Sequence, residues 1–182
     1  MTTEPKTKAK SSPEKAHRKK PAGGEGGATN AIELLKKDHR EVKGWFEEYE
    51  EAKTDDEKAE LSSKICLALK VHAQIEEEIF YPQAREAVAN DDLLDQALVE
   101  HAGAKQLIGQ IESMTVGDEL YDAKVKVLGE QINHHVEDEE EELFPEVEDC
   151  DFDLDELGKK MAACKAELMA EMKKSGGAAR VR

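Results

Sequence analysis

From residue 30 onward, apolar residues recur at steps of three and four, the spacing of one face of an α-helix. The first seam runs Ile32, Leu35, His39, Val42, Phe46 and Tyr49, behind Asn30, whose side chain can cap a helix with Glu33 closing the box. The second, Leu61, Ile65, Leu69, His72, Glu76 and Ile79, opens at Thr54 with Glu57 as box partner. Pro82 then breaks or kinks it, because a proline ring clashes with the carbonyl four residues back. A third helix begins near Asn90, with Leu94, Leu98, His101, Ile108 and Ile111 inward. A fourth begins near Asp118, with Val125, Leu128, Ile132, His135, Glu139 and Leu143 inward, until Pro145. Asp153 and Glu156 form another box ahead of Leu154, Leu157, Met161, Leu168 and Met172, a fifth helix that covers one side of the others or pairs with another subunit. The expected fold is all-α. An up-down-up-down four-helix bundle spans 29–149, a C-terminal amphipathic helix 150–174, and a frayed end 175–182. Residues 1–28 carry hardly any large apolar side chain, so they cannot repay the entropy of ordering and are expected to be a disordered basic tail.

Each of the first four seams contains a histidine at a core position, and the four are related by a repeat. His72 is followed four residues later by Glu76 and ten later by Pro82; His135 is followed by Glu139 and Pro145 at the same distances. Asp38-His39 stands 33 residues before His72, and Glu100-His101 stands 34 before His135. The period of 62 to 63 residues fits two helical hairpins that must close on each other to bury their apolar faces. A four-residue step on a helix turns about 400°, so each His and its Glu point the same way. In such a bundle the start of helix one, the proline end of two, the start of three and the proline end of four lie together, which brings all four histidines into one layer roughly 15 Å below that end.

A lone buried histidine is more often a hydrogen-bonded core residue than a ligand. Six polar groups at one level are different, because burying them costs several kcal/mol unless a cation satisfies them together. The candidate ligands are His39, His72, Glu76, His101, His135 and Glu139, a mixed nitrogen and oxygen set suited to iron or another first-row ion. Two ions fit better than one, with the carboxylates shared between them. His134 and Asp138 are also four apart, but only His135 matches His72 in its distance to proline. Glu77, Glu78, Glu140 and Glu141 turn away from the seams, with Glu77 or Glu140 at best supporting a ligating group. Trp45, Tyr49, Phe80, Tyr81 and Phe144 are read as core or end-packing residues. No catalytic nucleophile, phosphate loop or dinucleotide fingerprint is visible.

Charge narrows the partners. The formal net charge is −16, yet residues up to Ala28 hold seven Lys/Arg against three Glu, so the body is more acidic than the total suggests. Such a body repels nucleic acid and anionic lipid, while the run His17-Arg18-Lys19-Lys20 can touch nucleic acid or an acidic partner, although short charge runs in tails are usually just solvated. Neither a secretory segment nor a membrane-length apolar run is present, so a cytoplasmic protein is expected. Cys66, Cys150 and Cys164 lack metal-finger spacing and read as idle reduced thiols, with a redox role for Cys150 or Cys164 as the alternative.

Together, Leu34-Leu35-Lys36-Lys37-Asp38-His39, His72-x-x-x-Glu76 with Phe80-Tyr81-Pro82, Glu100-His101, and His135-x-x-x-Glu139 with Leu143-Phe144-Pro145 resemble the hemerythrin-like, His-His-Glu cation-binding family over roughly residues 30–147. The resemblance implies a non-haem di-iron centre, two iron ions with an oxygen-derived bridge, held by the same six residues. Oxygen-carrying members have a further His four residues after the one on the third helix, where this chain has Lys105. That departure argues against simple oxygen carriage. The function expected is binding or sensing of a small oxidant, oxygen or nitric oxide. The alternatives are a peroxide-degrading enzyme of catalase or peroxidase type, and iron storage or donation for iron-sulfur repair.

Overall fold

A computed structural model describes residues 30–88, 91–151 and 153–179. The disorder expected at 1–28 and the helix start at Asn90 lie outside these residues. Everything regular among them is helical: α1 Ala31–Glu51, α2 Asp55–Ile75, α3 Tyr81–Ala87, α4 Asp92–Glu112, α5 Tyr121–Asp138, α6 Phe144–Glu148 and α7 Leu154–Ala179. Two π-helical turns, Glu76–Phe80 and Glu139–Leu143, join α2 to α3 and α5 to α6 without a break. The four long helices of the bundle are therefore α1, α2 with α3, α4, and α5 with α6.

Local chemistry sets most of the boundaries. Asn30 Oδ1 accepts the backbone amides of Ile32 and Glu33 at 2.9 and 3.4 Å, while the Glu33 side chain stays exposed instead of closing the box. Thr54 and Glu57 form both halves of theirs. Asp153 Oδ1 accepts the Glu156 amide at 2.9 Å at the head of α7. Asp118, expected at the start of a helix, shapes a turn: its carboxylate accepts the Thr115 amide and its carbonyl that of Tyr121, where α5 begins. Leu120 reaches α5 with φ +71°, the left-handed region that side chains other than glycine avoid.

Pro82 and Pro145 do not end their helices. In each π-helical turn the hydrogen bond closes over five residues: the Tyr81 amide donates to the Glu76 carbonyl, and the Phe144 amide to that of Glu139. The wider turn just before the proline moves its ring away from the carbonyl it would strike in an α-helix.

The helices bury two hydrophobic clusters, one above and one below the histidine layer. The upper joins Ile32, Leu35, Phe80, Leu94, Leu143, Phe144 and Met161, and the lower joins Val42, Ile65, Leu69, Ile108, Val125 and Leu128. Helix α7 packs along α1 and α2 and inserts Leu157 and Met161 into the upper cluster, so it covers one side of the bundle. Fully buried Met161 alone contributes on the order of 2–3 kcal/mol. The helical backbone continues to Ala179, past Ser175 where fraying is expected. Leu98 is not inward, being 39% exposed. The buried seam of α4 is Leu94, Ala97, His101, Ala104, Ile108 and Ile111, in which small alanines take the places between the large residues.

Candidate metal centre

All six expected ligands are buried and converge between the two clusters, with Glu76 at 0% and Glu139 at 2% exposure. His39 and His72 face each other with Nε2 atoms 3.1 Å apart, and His101 and His135 do the same at 3.1 Å. The glutamates lie between these pairs. Glu76 puts Oε1 3.2 Å from His72 Nε2 and Oε2 3.4 Å from His101 Nε2. Glu139 Oε2 is 3.3 Å from His39 Nε2 and 3.5 Å from His135 Nε2. Each carboxylate thus faces both histidine pairs, one on either side.

Four carboxylates face the outward nitrogens, each next to a candidate ligand in sequence, and three of them hydrogen-bond there. His39 Nδ1 donates to Glu140 Oε1 at 2.8 Å, His101 Nδ1 to Glu77 Oε1 at 2.9 Å, and His135 Nδ1 to Glu100 Oε2 at 2.9 Å. Asp38 Oδ2 stands 3.6 Å from His72 Nδ1, beyond hydrogen-bond length, and its other oxygen accepts from Lys165 of α7. In His39, His101 and His135, with Nδ1 tied to a carboxylate, Nε2 keeps its lone pair toward the centre, the arrangement that orients a metal-binding imidazole.

Sequence reasoning admitted Glu77 and Glu140 as supports and passed over Asp38 and Glu100, although both precede a candidate ligand in the repeat. Tyr81, read as a packing residue, has its hydroxyl in the centre: it donates to Glu139 Oε1 at 2.9 Å and lies 3.4 Å from His101 Nε2. Its counterpart one repeat on is Phe144, stacked on His39 with ring centroids 5.9 Å apart as Tyr81 is on His101 at 5.6 Å. Lys105 does not enter the centre. Its ammonium donates to Glu77 Oε1 at 2.7 Å, at the rim. His134 is exposed and points at Asp138, 3.1 Å away, outside the six.

The donor set fits a cation. Both oxygens of Glu76, Glu139 Oε2, Asp38 Oδ2 and His72 Nδ1 are buried with no hydrogen-bond partner, and leaving such groups unpaired costs several kcal/mol. Burial opposes charge on His72, yet Glu76, Asp38 and Glu139 around it push its pKa up to about 10. Glu76 is held well below the usual carboxylate range by His72 and His101 in spite of its burial. Without metal a proton on His72 compensates the carboxylates, and a metal ion entering must displace it. Burial and the carboxylates of Glu139 and Glu76 push Tyr81 well above the usual tyrosine range. Outside the centre, burial pushes the Cys66 thiol up to about 12, and the thiol of Cys150 donates to the carbonyls of Ala87 and Glu146.

Residues 30–147 match the hemerythrin HHE cation binding domain. The chain belongs to this family. A solved relative, an HHE cation binding domain-containing protein from Mycobacterium kansasii, superposes with a TM-score of 0.67 at 26% identity, covering 78% of this chain and 88% of that one. An uncharacterized protein of Mycobacterium tuberculosis is 27% identical over 141 residues, 74% of this chain and 84% of its own length. A protein of Nostoc named as a DNA nickase is 27% identical over 115 residues, 63% of this chain, and the match spans only 32% of that protein's length. This HHE chain therefore pairs membership of a cation-binding family with a buried His/Glu cluster. No helix among its described residues is long and apolar enough to cross a membrane.

Proposed function

We propose that this HHE protein holds two iron ions, joined by the oxygen-derived bridge usual in its family, and uses them to bind or sense a small oxidant, oxygen or nitric oxide. The observation that carries the reading is the placement of Glu76 and Glu139 between two histidine pairs, with buried oxygens that no protein group satisfies. His39 and His72 would hold one ion, His101 and His135 the other, and Glu76 and Glu139 would serve both. Bound there, the ions supply redox and Lewis-acid chemistry.

The protein's own residues set the conditions. Beside the four histidines lies a cavity of about 20 Å³ walled by Val42, Leu69 and Ile108, with room for a molecule of only a few atoms. That size favours a diatomic or peroxide over any organic substrate. Its apolar wall excludes bulk water, which strengthens the electrostatic interactions inside. The carboxylates of Glu140, Glu77 and Glu100 keep the imidazoles of His39, His101 and His135 in one orientation, and Lys105 and Lys165 pair with Glu77 and Asp38. Three free thiols, Cys66, Cys150 and Cys164, suit a reducing compartment such as the cytoplasm.

A second reading, reduction or disproportionation of peroxide, is favoured by one observation. The Tyr81 hydroxyl holds a proton on Glu139 Oε1, inside the centre, where a leaving oxygen would need one. The test is to load the metal-free protein anaerobically with iron(II), count the iron, and record the optical spectrum before and after oxygen, nitric oxide and peroxide. Two irons per chain with a spectrum that responds to oxygen or nitric oxide supports the first reading. Sustained oxygen evolution or peroxide loss supports the second, and no more than one tightly held iron refutes both.

A further inference from the structure

Outside the buried centre, His134, Asp138 and Glu100 meet on the surface where α4 faces α5, each offering a ligand atom within 4.8 Å of the others. His134 Nδ1 lies 3.1 Å from Asp138 Oδ2. The Gln96 amide sits beside them, donating to Asp138 at 2.6 Å and to Glu100 at 2.9 Å, and could turn its carbonyl toward a cation. One imidazole, two carboxylates and an amide oxygen make a donor set for a borderline divalent ion.

What lies behind the cluster sets it apart from ordinary surface charge. A cavity of about 10 Å³, room for about one water, is lined by Gln96, Glu100 and Asp138 on its outer side and by His135 and Glu139 on its inner side. Glu139 is buried, and its unpartnered Oε2 is directed past this cavity at His39 and His135 in the centre. Glu100 touches both regions, since its carboxylate belongs to the outer cluster while holding His135 Nδ1. The carboxylates of Asp138 and Glu100 set two negative charges beside the His134 ring, which attracts a cation.

We propose that Glu100, His134 and Asp138 form an outer site for a divalent cation, one step from the buried centre, where metal docks before entering past Glu139. The exposed His134 thus differs in role from His135 next to it: it governs how fast the centre fills and leaves its final occupancy alone. The docking step rests on the metal-centre reading above; cation binding at the outer cluster does not.

The test uses the full chain, metal-free, with cobalt(II) as probe, and compares wild type with His134→Ala/Asp138→Asn; Glu100 is left intact because it also holds His135. Equilibrium dialysis counts bound cobalt, and stopped-flow absorbance follows uptake by the centre. The expected result is one additional, weaker ion in wild type that the variant lacks. Uptake by the variant should be slower by roughly tenfold, the low end of what electrostatic focusing gives, with the same final occupancy of the centre. A variant that keeps the additional ion, or that fills its centre as fast as wild type, overturns the proposal. If the centre of neither protein takes up cobalt, the proposed function fails, and the count of the additional ion still decides the outer site.

Discussion

Glu76→Gln is the sharpest perturbation of the centre, because it keeps the shape of the side chain and removes one charge that faces both histidine pairs. Glu76 is fully buried, its two oxygens 3.2 and 3.4 Å from His72 and His101 Nε2, with no other partner. In the metal-free protein the change leaves Asp38 and Glu139 to hold the proton on His72 and removes the carboxylate that His72 and His101 keep ionised, one partner of a buried charged cluster. Stability of the metal-free protein should therefore fall, by about 3–5 kcal/mol. With metal a separate loss is added, read as the difference between loaded and metal-free melts. Altering even a group that supports a ligand typically weakens metal binding about 10- to 100-fold, or about 1.4–2.7 kcal/mol for each of two ions. A metal-dependent stabilisation smaller by about 3–5 kcal/mol lowers the loaded melting temperature by roughly 10 °C more in a chain of this size. Paired thermal melts of metal-free and iron(II)- or zinc-loaded protein read both quantities. Glu141→Gln, at an exposed position, is the control and should change neither. The reasoning is refuted if Glu76→Gln retains the full metal-dependent rise in melting temperature, or if Glu141→Gln loses as much of it.

Tyr81→Phe keeps the ring on His101 and deletes the hydroxyl on Glu139; iron content should hold while peroxide turnover falls about 100-fold or more, the range for a lost general acid. Equal turnover would remove Tyr81 from the chemistry. Leu120→Gly relieves a left-handed backbone at an exposed leucine and should stabilise the protein by about 1 kcal/mol in urea denaturation, whereas a glycine elsewhere in the same turn should not. For the metal-free protein, the raised pKa of His72 contributes stability that is fully present below the unfolded value near 6.5 and lost as pH rises through about 10. The depressed Glu76 contributes stability that is present above its unfolded value near 4.5 and lost as pH falls toward its folded one. Denaturation curves from pH 4 to 10 should therefore be highest between about pH 4.5 and 6.5 without metal and decline toward pH 10, and a profile rising steadily to pH 10 would contradict the charge assignment.

Most of the bundle could be read from the chain because each helix carries a seam, because α1, α2 and α7 also carry a capping side chain, and because the seams repeat at 62 to 63 residues. The same repeat brought His39, His72, His101 and His135 to one level before any coordinates. It failed where the signal was not in residue type. Leu98 was placed inside because alanines at 97 and 104 do not stand out as seam residues, although in a crowded core they are what fits. The prolines were read as breaks or kinks because the π-helical turns that accommodate them are backbone events without a sequence signature of their own. Tyr81 was missed for the same reason, since an α-helical count from Glu76 sends it to another face. Asp38 and Glu100 were legible as repeat partners, but their role depends on which histidine of a neighbouring helix they meet, and that is set by interhelical packing.

Those two wide turns act as phase shifters. Each adds one residue to a helix at the carboxylate that faces the centre, so that the stretch above is rotated relative to the stretch below. Below Glu76 the inward positions follow Ile65, Leu69 and His72; above it they become Phe80, Tyr81 and Ala84, with Leu143, Phe144 and Val147 in the other copy. The histidine layer and the lid under α7 are thereby indexed separately on the same helices. Side chains of the lid can be exchanged to suit α7, or α7 repositioned, without turning the imidazoles below. Deleting one residue between Glu76 and Tyr81 would couple the two again, swinging the Tyr81 hydroxyl out of the centre while leaving His72 where it stands.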